Sequence, residues 1–236
     1  MTRTARLPKL RQSKLKGLSD KGKAMGYNRN KTTNMEISKY VFHSIDDLND
    51  GCCVLVGDLI ITAGHVISDH ALKIVVEGAT YHLSKDEALY YKWDKDNMHE
   101  YSSDIAMFKM PTLSSPIQLE TSYPCEGMTL KSISYEHVVE KADDSHTLFG
   151  GKFATKDYIR PIECNAIISA VEGNFFLCKT DIVLKLGSSG SPVFKDGKVL
   201  GILHGGQPDQ PFCAFQSSAS ILDILKEIKY YPTLND

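Results

Sequence analysis

His65, Asp104 and Ser189 follow one another along the chain, 39 and 85 residues apart, each in a segment suited to displaying it. His65 closes the run Ile60-Ile61-Thr62-Ala63-Gly64-His65-Val66, a β-type stretch ending in small residues. Asp104 leads Ser103-Asp104-Ile105-Ala106-Met107-Phe108, an acid entering an apolar strand. Ser189 lies in Gly187-Ser188-Ser189-Gly190-Ser191-Pro192-Val193-Phe194, where small residues let the backbone turn sharply. These residue types together can perform nucleophilic acyl transfer. A serine hydroxyl is a poor nucleophile until a base takes its proton, and imidazole titrates in the right range to be that base. A carboxylate that accepts the other ring N–H fixes the tautomer and stabilises the imidazolium that forms.

Such residues need a scaffold, and the chain is rich in short strand signals. Cys53-Val-Leu-Val56, Leu59-Ile-Ile-Thr62, Leu72-Lys-Ile-Val-Val76, Ile105-Ala-Met-Phe108, Asn165-Ala-Ile-Ile168 and Val199-Leu-Gly-Ile-Leu203 are separated by Gly, Pro, Asn and Asp. Strands at this spacing predict an all-β sandwich or barrel. Asp196-Gly197, between Val193-Phe194 and Val199-Leu200, is a hairpin signal. The polar stretch from Pro111 to Pro124 is the best place for a connection between lobes. Ile221, Leu222, Leu225 and Ile228 recur at helical spacing behind Ser217 and Ser218, either of which could cap, so a helix is expected over about 217–229.

Composition bounds the rest. The 236 residues are 42% hydrophobic with a net charge of −2, enough for one large domain or two lobes and no general case for nucleic-acid binding. No run approaches the ~20 apolar residues of a membrane span, and the basic N-terminus has no apolar stretch behind it, so neither a span nor a secretory signal is expected. Residues 1–34 carry ten Lys or Arg against one acid, Asp20, and are read as a flexible basic arm able to contact RNA or an anionic membrane. Cys52, Cys53, Cys125, Cys164, Cys178 and Cys213 form no CxxC pair and read as free thiols. The remaining histidines, His43, His70, His82, His99, His137 and His146, show no ligand spacing, so neither metal nor cofactor is expected.

The three segments resemble the motifs of chymotrypsin-like serine proteases. Thr62-Ala63-Gly64-His65 is similar to the histidine motif, Asp104-Ile105-Ala106-Met107 to the aspartate motif, and Gly187-Ser188-Ser189-Gly190-Ser191-Pro192 to the Gly-x-Ser-Gly-x-Pro motif of the nucleophile. The order His, Asp, Ser also matches that template rather than those of α/β-hydrolases or subtilisins. The resemblance covers roughly residues 40–220. It implies a triad of His65, Asp104 and Ser189, and an oxyanion hole made by the N–H groups of Gly187 and Ser189. It also implies two antiparallel β-barrels, lobe one about 35–115 and lobe two about 120–216, followed by the C-terminal helix, within a protease domain over 35–236.

Departures from the family narrow the setting. Secreted relatives place an Asp before the nucleophile for pairing with a freed N-terminus, and here Ser188 stands there. Their cysteines after the histidine and around the nucleophile are replaced by Val66, Lys185 and Lys195. The Ser-Gly-Ser-Pro form resembles RNA-virus polyprotein proteases and bacterial glutamyl endopeptidases. The expected function is a serine endopeptidase processing a viral polyprotein, its own, in the host cytoplasm and not secreted. The alternatives are a non-viral intracellular protease of the same fold, and a protease-fold scaffold whose arm binds RNA or membrane.

For specificity, Val199-Leu-Gly-Ile-Leu-His-Gly-Gly206 resembles the strand that lines the primary pocket and pairs with substrate. Leu184, Leu203, His204, Gly205 and Gly206 are therefore the candidate pocket residues. A histidine facing the pocket would favour Gln or Glu before the scissile bond, but Leu184 stands where such relatives carry a helper Thr. Leu184 with Leu203 would make an apolar pocket. A one-residue shift along a strand decides between Leu203 and His204, and the apolar pocket is the favoured expectation.

Overall fold

The structure, a computed structural model, describes residues 37–44, 50–94, 103–141, 155–207 and 209–232. The expected basic arm therefore lies outside the described residues.

The first lobe is built from β1 (Val41–His43), β2 (Cys52–Val56), β3 (Leu59–Thr62), β4 (Leu72–Val76), β5 (Ala79–Leu83), β6 (Tyr90–Lys92) and β7 (Ile105–Lys109). Five of these form one antiparallel sheet in the order β1-β2-β3-β7-β6, and β4 with β5 make a separate hairpin. β2 and β3 are buried along their whole length, as continuous apolar runs demand when both faces are covered. Leu72, Ile74, Val76 and Leu83 of the hairpin pack on Cys53, Leu55, Ile60, Ala106 and Phe108 of the sheet. Side-chain packing, rather than a hydrogen-bonded ladder, thus encloses this lobe.

The second lobe closes by hydrogen bonds. β8 (Thr129–Lys141), β9 (Thr155–Glu172), β10 (Phe175–Thr180), β11 (Pro192–Lys195), β12 (Lys198–Gly206) and β13 (Phe212–Ser217) form a closed barrel in the order β10-β13-β12-β11-β8-β9. The Asp196-Gly197 hairpin forms as expected, with positive φ at both residues, 50° and 82°. The barrel interior holds Leu130, Ile168, Phe176, Val193, Leu200, Leu203 and Phe215, with Phe176 and Phe215 stacked 5.5 Å apart.

The connection between the lobes is pinned rather than loose. The Ser115 hydroxyl donates to Leu55 O at 2.7 Å, Gly57 N to Ile117 O at 3.1 Å, and Val199 N to Gln118 O at 2.9 Å. The expected helix, α1 (Ser218–Glu227), starts at Ser217, whose hydroxyl accepts from Ser220 N. Its Ile221, Ile224 and Leu225 enter a core shared by both lobes, against Val54, Ile61, Met107, Ile133 and Val199. Each such buried side chain contributes about 1.5–3 kcal/mol. Just beyond α1, the Tyr230 hydroxyl donates to Asp58 Oδ2 at 2.6 Å, tying the chain's end to the β2–β3 turn.

All six cysteines are free, and only Cys125 is exposed. Burial pushes the thiols of Cys52, Cys164 and Cys178 up to about 12 and that of Cys213 up to about 11, so they stay protonated and unreactive at neutral pH. Alkylation of the native protein is expected to modify Cys125 alone and all six after unfolding. Mass spectrometry of the alkylated chain checks this.

Candidate active site

Asp104 sits at the mouth of β7 with its side chain fully shielded from solvent. A buried carboxylate must recover in hydrogen bonds what it loses in hydration. Its Oδ1 accepts the backbone N–H of His65 at 2.8 Å, and its Oδ2 accepts the ring N–H at His65 Nδ1 at 2.7 Å. A second ring, His204, also bonds Oδ2 through Nδ1. Burial alone would raise the Asp104 pKa, but hydrogen bonds from His204 and His65, with the charge of both rings, hold it down at about 2. Its own N–H donates to the Oε1 of buried Gln216 at 3.0 Å.

His65 lies in a 3-10 turn over Gly64–Ile67 directly after β3. Gly64 is required by close approach: a Cβ there would meet Lys92 O at 2.5 Å and Asp104 Oδ1 at 3.2 Å. With Nδ1 committed to Asp104, the imidazole keeps Nε2 as its acceptor. Trp93, the single tryptophan, lies 5.4 Å from the His65 ring.

The serine turn is seated on Cys52. Cys52 N donates to Ser189 O at 2.7 Å, its thiol donates to Gly187 O at 3.2 Å, and its carbonyl accepts the Thr62 hydroxyl at 2.6 Å. Gly190 has φ +85°, and a Cβ there would fall 2.0 Å from Cys52 O and 2.5 Å from Thr62 Oγ1. On the other flank Gly190 N donates to Leu203 O, and the Ser191 hydroxyl donates to that of Ser134, both at 2.8 Å. The turn is therefore fastened to Cys52, which Thr62 holds in turn, and to Leu203, the residue before His204. Among the described residues, the N–H groups of Gly187 and Ser189 have no hydrogen-bond partner, and no hydrogen bond joins the Ser189 hydroxyl to the His65 ring. Ser188 is buried with its hydroxyl unpartnered among those residues.

The pocket candidates separate into two groups. Leu203 points into the barrel and Leu184 packs against the same cluster. Gly205 faces open space, while Gly206 lies close to the Phe212 carbonyl. His204 is placed elsewhere, on Asp104. The reason is a bulge: Leu203 pairs with Phe215 and Gly205 with Ala214, leaving His204 as the extra residue. A bulge re-aims the side chain it carries.

His65, Asp104 and His204 bring three potential ligand atoms within 4.8 Å of one another. Both Nδ1 atoms are directed at the same carboxylate oxygen, so each ring acts there as a hydrogen-bond donor. An ion would have to displace both protons, and the set reads as a hydrogen-bonded unit rather than a metal centre. Cys52, Trp93 and Gln216 were not legible as site residues. Neither lone polar residues nor a lone tryptophan carry a motif, and only the packing of distant elements brings them here.

A closed barrel and a sheet lobe, joined around an aspartate and histidine at their junction, define a chymotrypsin-like fold. The sequence matches the trypsin-like peptidase domain over residues 50–202, and the chain belongs to that family of serine endopeptidases. Solved structures agree on the fold. The serine endoprotease of Yersinia pestis aligns with a TM-score of 0.56 at 19% identity, over 88% of this chain and 68% of that one. Tobacco vein mottling virus protease aligns at 0.53 and 19%, over 84% and 83%. A scabies mite inactivated protease paralogue aligns at 0.59 and 12%, over 84% and 97%. Comparison with curated proteins yields no match.

Gly190→Ala is expected to cost about 2–4 kcal/mol of stability, because its Cβ meets backbone at a positive φ. Gly205→Ala, whose Cβ meets nothing within 4 Å, should lie within about 0.5 kcal/mol of the parent. Urea unfolding of the two variants reads the difference.

Proposed function

We propose that this peptidase hydrolyses peptide bonds through an acyl-enzyme, with Ser189 as nucleophile, His65 as general base and Asp104 as the group that orients and charges the base. The observation that carries this reading is the His65–Asp104 pair, which leaves Nε2 as the ring's acceptor. His65 takes the Ser189 proton as Oγ attacks the carbonyl, and Asp104 stabilises the imidazolium. The unpartnered N–H groups of Gly187 and Ser189 receive the negative charge of the tetrahedral intermediate. His65 then returns the proton to the leaving amine, and water repeats the sequence to release the acyl group.

The residue before the cut is apolar in this reading, because Leu184 and Leu203 share one cluster while His204 is engaged on Asp104. Processing of a viral polyprotein in the host cytoplasm is the setting we favour. It is supported by the Ser-Gly-Ser-Pro motif and by six cysteines without a disulfide. The basic residues 1–34 suit contact with RNA or an anionic membrane through charge alone.

Digestion of a peptide library by the parent enzyme and by Ser189→Ala, read by mass spectrometry, tests the proposal. The parent should cut after apolar residues, and the variant should be slower by about 10⁴-fold or more. Cleavage by both at equal rates would remove Ser189 from the reaction, and preference for Gln or Glu would return His204 to the pocket.

A further inference from the structure

His204 occupies a position that the three-residue reaction above does not use. It is the bulged residue of β12, and its ring donates through Nδ1 to the same Asp104 oxygen that His65 uses. The two rings stand edge to face at 5.9 Å. Phe175 lies 5.4 Å from the His204 ring and Trp93 6.2 Å from it, so two neutral aromatic rings pack near it. Its side chain is 23% exposed, leaving a path for a proton from solvent.

We propose that His204 is a positioning residue that completes a His–Asp–His unit, holding the Asp104 carboxylate for His65 and binding a second proton that switches His65 off. The proposal rests on the triad reading given above.

The argument is electrostatic. One carboxylate oxygen serves two imidazoles, so both rings are held as Nδ1–H tautomers and each keeps an acceptor Nε2. With both rings neutral, His204 acts as a fixed donor that prevents the carboxylate from rotating away from His65. When either ring is protonated, the Asp104 charge is neutralised, and a second proton must enter beside a cation. The two protons therefore bind in separate steps that belong to the pair. Acidification reduces activity through both steps. A protonated His65 cannot accept from Ser189, and a protonated His204 takes from His65 the negative charge that makes it basic.

Among the described residues, the titratable and charged groups that face His204 are Asp104 and His65. Burial first, and then the charges of Asp104 and Asp69, raise the Tyr91 hydroxyl, which puts that group within reach of the same carboxylate. Trp93 brings Asp94 next to it in sequence, while Phe175 of β10 and Gln216 of β13 are uncharged.

Trp93 supplies a readout independent of activity. It is the single tryptophan, within stacking range of both rings, and an imidazolium quenches indole fluorescence where a neutral imidazole does not. Two variants separate the two roles. His204→Asn keeps an N–H donor the same number of bonds from the backbone and cannot ionise, whereas His204→Phe keeps an aromatic ring and donates nothing. In the parent, Trp93 fluorescence should fall in two steps on acidification. Both variants should show one step. His204→Phe should lower kcat by about tenfold with KM unchanged, and His204→Asn should restore most of it. The residue preferred before the cut should be the same in all three. A parent titration identical to that of His204→Asn overturns the proton-binding role. Full kcat in His204→Phe overturns the positioning role, and a changed cleavage preference assigns His204 to the pocket instead. Labelling of Ser189 by a fluorophosphonate in the parent is the separate check on the triad. Its failure would count against the nucleophile, while the fluorescence titration would still report on the two histidines.

Discussion

A carboxylate removed from water has to find replacements for its lost hydration, and Asp104 finds them on elements from both lobes. The first lobe provides the backbone and ring N–H groups of His65. The second provides His204, while Gln216 receives the Asp104 amide. Losing one partner of such a buried ion costs far more than losing an exposed ion pair, because the remaining charge stays desolvated. The junction between the lobes is therefore fixed at one point by chemistry, and the surrounding apolar contacts set the rest of it. The same requirement explains why the turn after β3 and the end of β12 must be irregular: regular strands would aim His65 and His204 elsewhere.

A second constraint is backbone contact across the lobes. Cys52 uses its N–H and its thiol to seat the serine turn on β2, while its carbonyl accepts from Thr62 of β3. A buried thiol with its pKa pushed up to about 12 is a dependable donor, since it does not ionise in the working range. Gly190 lets the two chains come together with no side chain between them. In this way Ser189 is positioned mainly by main-chain atoms.

What could be read from the sequence was local. Histidine, aspartate and serine motifs each span a few residues, and the strands around them follow from continuous apolar runs. The cap at Ser217 and the Asp196-Gly197 turn are equally short-range. What could not be read depended on contacts between distant segments. The side of β12 on which His204 emerges is decided by one unpaired residue, and alternation along a strand cannot reveal a bulge whose partner strand is unknown. Pro111 to Pro124 reads as a spacer because it is polar and proline-bounded, yet its backbone is bonded to both lobes. The first lobe's strands announce a sheet, but nothing in their sequence says that the β4–β5 hairpin covers it through side chains rather than joining its ladder.

The shared core has a consequence for the order of assembly. A ribosome releases this chain from the N-terminus, and the residues that complete the junction come late: His204 on β12, Gln216 on β13, and the apolar face of α1. Until those segments emerge, Asp104 lacks half of its partners and the first lobe lacks the helix that covers its inner face. Domains fold as units when their last essential element is available. Catalytic competence thus waits for the segment through α1, so residues upstream of it are out of the ribosome before the enzyme is complete.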